Sequence, residues 1–395
     1  MTRVETAVNR PYVPPAGTTV FTTVDIHPGE RTGPVERHLV LCVDTSGSMT
    51  GEKIMRTREG IEWVFGLLEP DDCVAVVGFD AEPELLLEPA QWGNVDAETV
   101  EECVRSIKPG GGTNTFEALG HAQEALAAMD QAGGDDQPVR QILLVSDGKD
   151  ERHDLAAFEE LAAGIDDAGI RIYAGGIGDS YDEDTIRTLG RGARGEWAHL
   201  EEPGDIEAFF GDAVERAGTV VAPDARLTFD LATGVELDEV YRAEPQAQAA
   251  GVDREAGTVT VGLPDLAAGE RQCVVAKVHA PPREAGTDAT LAEVTVTADG
   301  ADASDAIAVE YTEAKAKLAT NEAAIQLAHE DAIHRTELGR SDLQAATKRL
   351  ERMTTISSED AAEVRAARRR TQRVREGGRA ARNRATRVDT GRTIG

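Results

Sequence analysis

Two periodicities divide the chain. Between residues 37 and 218, short apolar runs at 39–43, 73–79, 139–145, 170–174 and 196–200 read as buried strands, with 84–87 as a short edge strand. The segments between them repeat their apolar positions every three or four residues. Residues 51–68 carry Ile54, Ile61, Val64, Phe65 and Leu68 at helical spacing and are stopped by Pro70. Similar helices are predicted at 96–107, 115–129, 155–165, 183–189 and 205–217. Strands alternating with helices in this rhythm predict an α/β fold, a doubly wound and mostly parallel sheet covered on both faces.

Outside that region the rhythm changes. From 222 to 311, short strands at 227–229, 235–237, 258–261, 272–278, 291–296 and 306–309 are separated by Gly, Pro and Asp, which predicts an antiparallel β-sandwich. Residues 18–26 alternate threonine with Val20, Phe21, Val24 and Ile26, and the α/β region has no place for this strand. It is therefore assigned to the sandwich. Residues 314–352 contain almost no helix breaker except Gly339, and 357–360 (Ser-Ser-Glu-Asp) read as the cap and acidic first turn of another helix. Two antiparallel helices are expected. The domain organisation is then an N-terminal strand within 1–36, the α/β domain at 37–218, the sandwich at 219–312, a helical hairpin at 313–376 and a flexible Arg-rich tail at 377–395.

The chemistry gathers where apolar runs stop. The run 39–43 ends at Asp44, followed by Ser46 and Ser48, in the turn at a strand's carboxyl end where open α/β sheets bind ligands. One carboxylate and two hydroxyls offer only oxygen, a donor set for a hard cation such as Mg²⁺ and a poor one for zinc. Three oxygens leave an octahedron incomplete. The remaining donors are expected from the Gly-Gly-Gly-Thr-Asn-Thr turn at 110–115 and from the second apolar run, ending Ser146-Asp147-Gly148. Helix capping would account for one of these residues but not for a triplet matched on two further loops.

Asp-x-Ser-x-Ser, Gly-Gly-Thr-Asn-Thr and Ser-Asp-Gly, in this order over about residues 37–217, resemble the von Willebrand factor A (VWA) family. The resemblance implies a metal-ion-dependent adhesion site (MIDAS). Ser46, Ser48 and Thr113 would be its hydroxyl ligands, with Asp44 and Asp147 close by and often acting through water. It implies Mg²⁺, or Mn²⁺ or Ca²⁺, with one coordination position left for an Asp or Glu of a protein partner. The sequence is most similar to the prokaryotic branch that includes chloride-channel-like and inter-α-trypsin-inhibitor-like proteins. MoxR-type AAA+ ATPases are a partner class by analogy with that branch. The expected function is a divalent-cation-dependent protein–protein interaction module; the alternative is a surface or adhesive protein using the same site outside the cell.

Composition narrows this further. The 395 residues carry a formal charge of -31, with 41 Lys and Arg against 72 Asp and Glu, and a pI near 4.6. Only seven of the basic residues are lysine. Such an acidic, Lys-poor surface suits concentrated salt, where screening shrinks self-repulsion; the alternative is the acidic bias of a GC-rich genome. The first 312 residues hold 60 acidic and 23 basic side chains, whereas the remainder holds 12 and 18, which marks the C-terminal part as an interaction tail or a self-docking arm. The acidic body and the lack of aromatics among the tail arginines argue against nucleic acid. Ser46 lacks the Gly-x-Ser-x-Gly elbow, the turn at 110–115 lacks a P-loop lysine, and no histidine motif marks a base, so no enzyme is expected. Cys42, Cys73, Cys103 and Cys273 show no metal-type spacing and read as reduced core residues. A polar N-terminus without an apolar h-region, and no run long enough to span a bilayer, predict a cytoplasmic location.

Overall fold

A computed structural model describes residues 1–30, 33, 35–132, 138–147, 149–150, 152–178, 181–201, 204–298, 302–358 and 361–387. Gly148 of the third loop, the acids at 135–136, Glu202, the first-turn acids Glu359 and Asp360, and residues 388–395 of the Arg-rich tail lie outside the described residues. The chain forms two compact units, Arg31–Pro223 and the discontinuous pair Met1–Glu30 with Asp224–Gly395.

The first unit is built on a six-stranded sheet in the order Pro83–Gln91, Cys73–Phe79, Arg37–Asp44, Val139–Ser146, Ile170–Ile177, Glu196–Leu200. All neighbours are parallel except the edge strand Pro83–Gln91. Arg37–Asp44 is buried along its whole length because both faces are covered. Leu39, Leu41 and Val43 enter one core with residues of the helices Glu52–Phe65, Ala97–Ser106 and Asp205–Ala217. Val40 and Cys42 enter the other, with Thr115–Ala132, Leu155–Asp167 and Glu183–Gly192. Alternate residues facing opposite cores turn a two-residue period into a continuous apolar run. Aspartates start the helices that follow loops: Asp96 accepts from Thr99 N at 2.8 Å and Asp154 from Ala157 N at 3.0 Å.

The second unit contains two largely antiparallel sheets. In one, the order is Arg3–Val8, Thr18–His27, Gln272–Ala280, Glu236–Glu244, Gln248–Ala249. The N-terminal strand pairs with a segment some 250 residues later, Ile26 opposite Gln272 and Thr18 opposite Ala280. The other sheet runs Val252–Glu255, Thr258–Gly262, Arg226–Leu231, Asp288–Thr297, Ala303–Tyr311, Tyr12–Val13. Asp305 of the second sheet accepts from the backbone N–H of Thr6 in the first at 2.7 Å.

The C-terminal segment departs from the expected hairpin. After a short turn at Lys315–Leu318 it forms three helices, Ala323–Gly339, Leu343–Ile356 and Ala362–Ala385. The long segment is interrupted because Gly339 ends the first helix and Ser341 adopts a left-handed φ of 65°. Asp342 then caps the second, accepting from Ala345 N at 2.8 Å. Leu327, Met353, Val364 and Ala367 pack together among the three. The arginine-rich run is helical through Ala385, with Arg370 paired to Asp331 of the first helix.

Candidate metal centre

Three loops meet at the carboxyl end of the central strands. Asp44, the last residue of its strand, is fully buried. Its Oδ1 accepts from Ser46 N at 2.8 Å, which bends the chain into the turn, and its Oδ2 accepts from Ser146 Oγ at 2.6 Å. These bonds lock the carboxylate between the first and third loops. The hydroxyls of Ser46 and Ser48 lie 2.9 Å apart, the first buried and the second exposed.

The second loop is tied to the first through the backbone. Gly47 N donates to Gly111 O at 2.9 Å, and Gly110 N to Thr45 O at 2.6 Å. Asp80 holds the far side by accepting from Gly111 N at 2.7 Å. That bond keeps the Asp80 carboxyl below its ordinary range, and the Asp80 carboxylate fills the space a side chain at Gly110 would need. Thr113 is half-buried in this turn. Asn114 and Thr115 behind it are buried and open the helix Thr115–Ala132, where Asn114 Nδ2 reaches Glu117 at 2.7 Å.

Asp147 supplies the centre's second acid. Its side chain is fully buried, yet among the described residues neither carboxylate oxygen has a hydrogen-bond partner. The cations nearest to it are Lys53 and Lys149, with Nζ at 3.5 and 3.6 Å from Oδ2. A carboxylate removed from water costs several kcal/mol unless it is paired and hydrogen-bonded. Its field and, above all, burial push the Asp44 carboxyl up, against the bonds from Ser146 and Ser46. Two buried acids beside a pair of hydroxyls form an anionic, oxygen-only pocket wall. This is the surrounding a hard divalent cation requires, so the residues present fit one.

The structure thus gathers Asp44, Ser46, Ser48 and Asp147 around one strand end and places Thr113 on the loop bonded to Gly47. Ser146 belongs to the Ser-Asp-Gly motif, but sequence reasoning gives it no role of its own; three further contributors are missed. Lys53, Lys149 and Asp80 carry no local signature, because the fold alone brings them here. Isolated His153 turns out to stack on Phe116 at 4.3 Å between ring centroids, beside Asp150, a structural role.

Residues 39–149 match the family model of the von Willebrand factor type A domain. An uncharacterized Synechocystis protein is 24% identical over 245 residues, which is 61% of this chain and 57% of that protein. Inter-alpha-trypsin inhibitor heavy chain H2 of Sus scrofa is 29% identical over 174 residues, 42% of this chain and 18% of that one. The chain therefore spans little more than half, and in the second case under a fifth, of these relatives' length. Among solved structures, a von Willebrand factor type A protein from Catenulispora acidiphila superposes with a TM-score of 0.76 at 17% identity, covering 93% of this chain and 89% of that one. The ArnB paralog VWA2 from Sulfolobus acidocaldarius gives 0.64 at 17% identity, covering 98% and 97%. Among the described residues, no helix is long and apolar enough to cross a membrane. The family model and the structural neighbours together support a von Willebrand factor type A domain in this chain.

Proposed function

We propose that this protein is a divalent-cation-dependent protein-interaction module that binds an acidic side chain of a partner at the carboxyl end of its α/β sheet. The observation carrying this reading is the buried carboxylate of Asp147, which stands beside Asp44 and whose two oxygens accept no hydrogen bond among the described residues. Ser46, Ser48 and Thr113 would hold the ion directly, with Asp44 and Asp147 behind them. Mg²⁺ bound there would supply a Lewis-acidic position for a carboxylate. The chain's own contribution is orientation. Ser146 fixes Asp44, Asp44 fixes the Ser46 turn, and the Gly47 and Gly110 bonds hold the second loop against the first. Lys53 and Lys149 add positive charge beside the opening and favour an anionic ligand. Interaction through VWA domains is common, which supports a binding role. A MoxR-type AAA+ ATPase is one partner class to try.

The test is affinity capture from the native cell extract with the full chain as bait, in Mg²⁺ and in chelator, beside Asp147→Ala. Partners held in Mg²⁺ and lost both in chelator and in the variant would support the reading. An identical set of bound proteins in all three would refute it.

A further inference from the structure

The opposite, amino end of the same sheet gathers a different set of donors. Parallel register puts His38 beside Cys73, the first residues of their strands to pair, and Glu36 stands two residues before His38. A Glu36 oxygen, a His38 ring nitrogen and Cys73 Sγ lie within 4.8 Å of one another. His38 is buried, its side chain 1% exposed, and Glu36 and Cys73 are half-buried at the rim. Sequence spacing hides this cluster, because residues 36, 38 and 73 meet only through the strand pairing.

The hydrogen bonds around His38 leave a gap in charge. Nδ1 lies 2.8 Å from Asp130 Oδ1, and Nε2 lies 3.1 Å from Glu36 Oε1. A neutral imidazole carries one N–H, so it can satisfy one of these carboxylates and must turn a lone pair toward the other. Asp130 is fixed by Arg140, whose Nε is 3.0 Å from Oδ2, and so is the better-anchored acceptor. With Nδ1–H donating to Asp130, Nε2 presents its lone pair to Glu36 and Cys73. A buried histidine whose outer nitrogen is held by a carboxylate is the arrangement that orients imidazole ligands on zinc.

We infer that Glu36, His38 Nε2 and Cys73 form a second metal site, for a borderline-soft divalent cation of the Zn²⁺ class, with its fourth position open at the half-exposed rim. Sulfur, nitrogen and one carboxylate select zinc over magnesium. Tetrahedral Zn²⁺ sets neighbouring donors about 3.3–3.8 Å apart given its ordinary bond lengths. Glu36 and His38 already stand 3.1 Å apart, so the adjustment on binding falls on Cys73 Sγ, which lies within 4.8 Å of both. On binding, the Cys73 S–H bond breaks, its proton passes to solvent, and the thiolate electron pair becomes the ligand bond. No oxidant or reductant is required.

The site can be tested by titrating Co²⁺ into the metal-free full chain with Mg²⁺ in excess. A thiolate-to-cobalt charge-transfer band reads cobalt on sulfur alone and is blind to the oxygen-only centre. The expected result is a band saturating at one equivalent, displaced by Zn²⁺ and absent in Cys73→Ser. In Asp130→Asn the band should persist while Zn²⁺ affinity falls about 10–100-fold. Absence of the band in the wild-type chain would overturn the site and leave His38 as a structural hydrogen-bonding residue between Asp130 and Glu36. A band of equal strength in Cys73→Ser would overturn it as well, by assigning the metal to another cysteine.

Discussion

The strand Arg37–Asp44 ends in polar clusters on both sides, and they are built on opposite principles. At the carboxyl end, Asp147 is buried with two oxygens that accept no hydrogen bond among the described residues. At the amino end, Arg37 and Asp72 are buried as a closed bidentate pair: Arg37 Nε lies 2.7 Å from Oδ1, a second nitrogen contacts Oδ2, and Nη1 donates to Val214 O at 3.1 Å. Both aspartates are withdrawn from water, but only Asp72 is hydrogen-bonded on both oxygens; Asp147 has ion pairs with Lys53 and Lys149 at 3.5 and 3.6 Å. Under the proposed function, the first is held for structure and the second for a cation.

That contrast should be largest in stability. Asp72→Ala strands a buried guanidinium and should cost about 3–5 kcal/mol of the α/β unit's stability in urea titrations. Asp147→Ala in metal-free buffer removes an unsatisfied carboxylate and should cost nothing or stabilise by up to about 1 kcal/mol. Equal losses in the two variants would erase the distinction between the two ends.

A second comparison sets these acids against the histidines buried in the other unit. His329 faces Glu239 with Arg349 and Lys277 nearby, and His334 faces Asp331 with Arg370 and Arg335. Burial, the largest influence on each, pushes both down from 6.5 to about 4. Between these values the unfolded chain binds protons that the folded chain refuses, so stability is intact above pH 6.5 and is lost as the pH falls toward 4. Each histidine should account for about 3 kcal/mol at the acid end. Chemical denaturation across this range, wild type beside His334→Gln, measures it; a variant with the same acid slope as wild type would contradict it.

The smallest effect expected concerns the body's diffuse charge rather than any one pair. With 60 acidic and 23 basic residues in the first 312, repulsion is strongest at low ionic strength. The screening length falls from ~10 Å at about 0.1 M salt to ~3 Å at about 1 M. The melting temperature should therefore rise by several degrees as KCl increases over that range. A flat series would reduce the acidity to a compositional bias without energetic consequence.

How much was legible follows from the range of each interaction. The parallel sheet could be read because strands buried on both faces become continuous apolar runs, as at 39–43, and the helices between them keep their own period. Two of the oxygen-bearing loops were legible because they sit immediately after such a run, at Asp44 and Asp147, and the third because its glycine turn at 110–115 opens a helix. Strands without an apolar face were invisible: Val252–Glu255 is mostly exposed and presents no pattern to read. The break between the first two C-terminal helices depends on Ser341 accepting a left-handed backbone, which its side chain does not announce. The cluster of Glu36, His38 and Cys73 needs the register of two strands, and periodicity says nothing of register.

The central claim, that the oxygen-only end of the sheet is a divalent-cation site, is tested most directly by isothermal calorimetry of Mg²⁺ and Mn²⁺ binding to the full chain and to Asp147→Ala. One site is expected in the wild-type chain, with affinity reduced at least about 100-fold in the variant, the expected consequence of deleting the anion that draws the cation in. Equal binding by both, or none by the wild type, would contradict it.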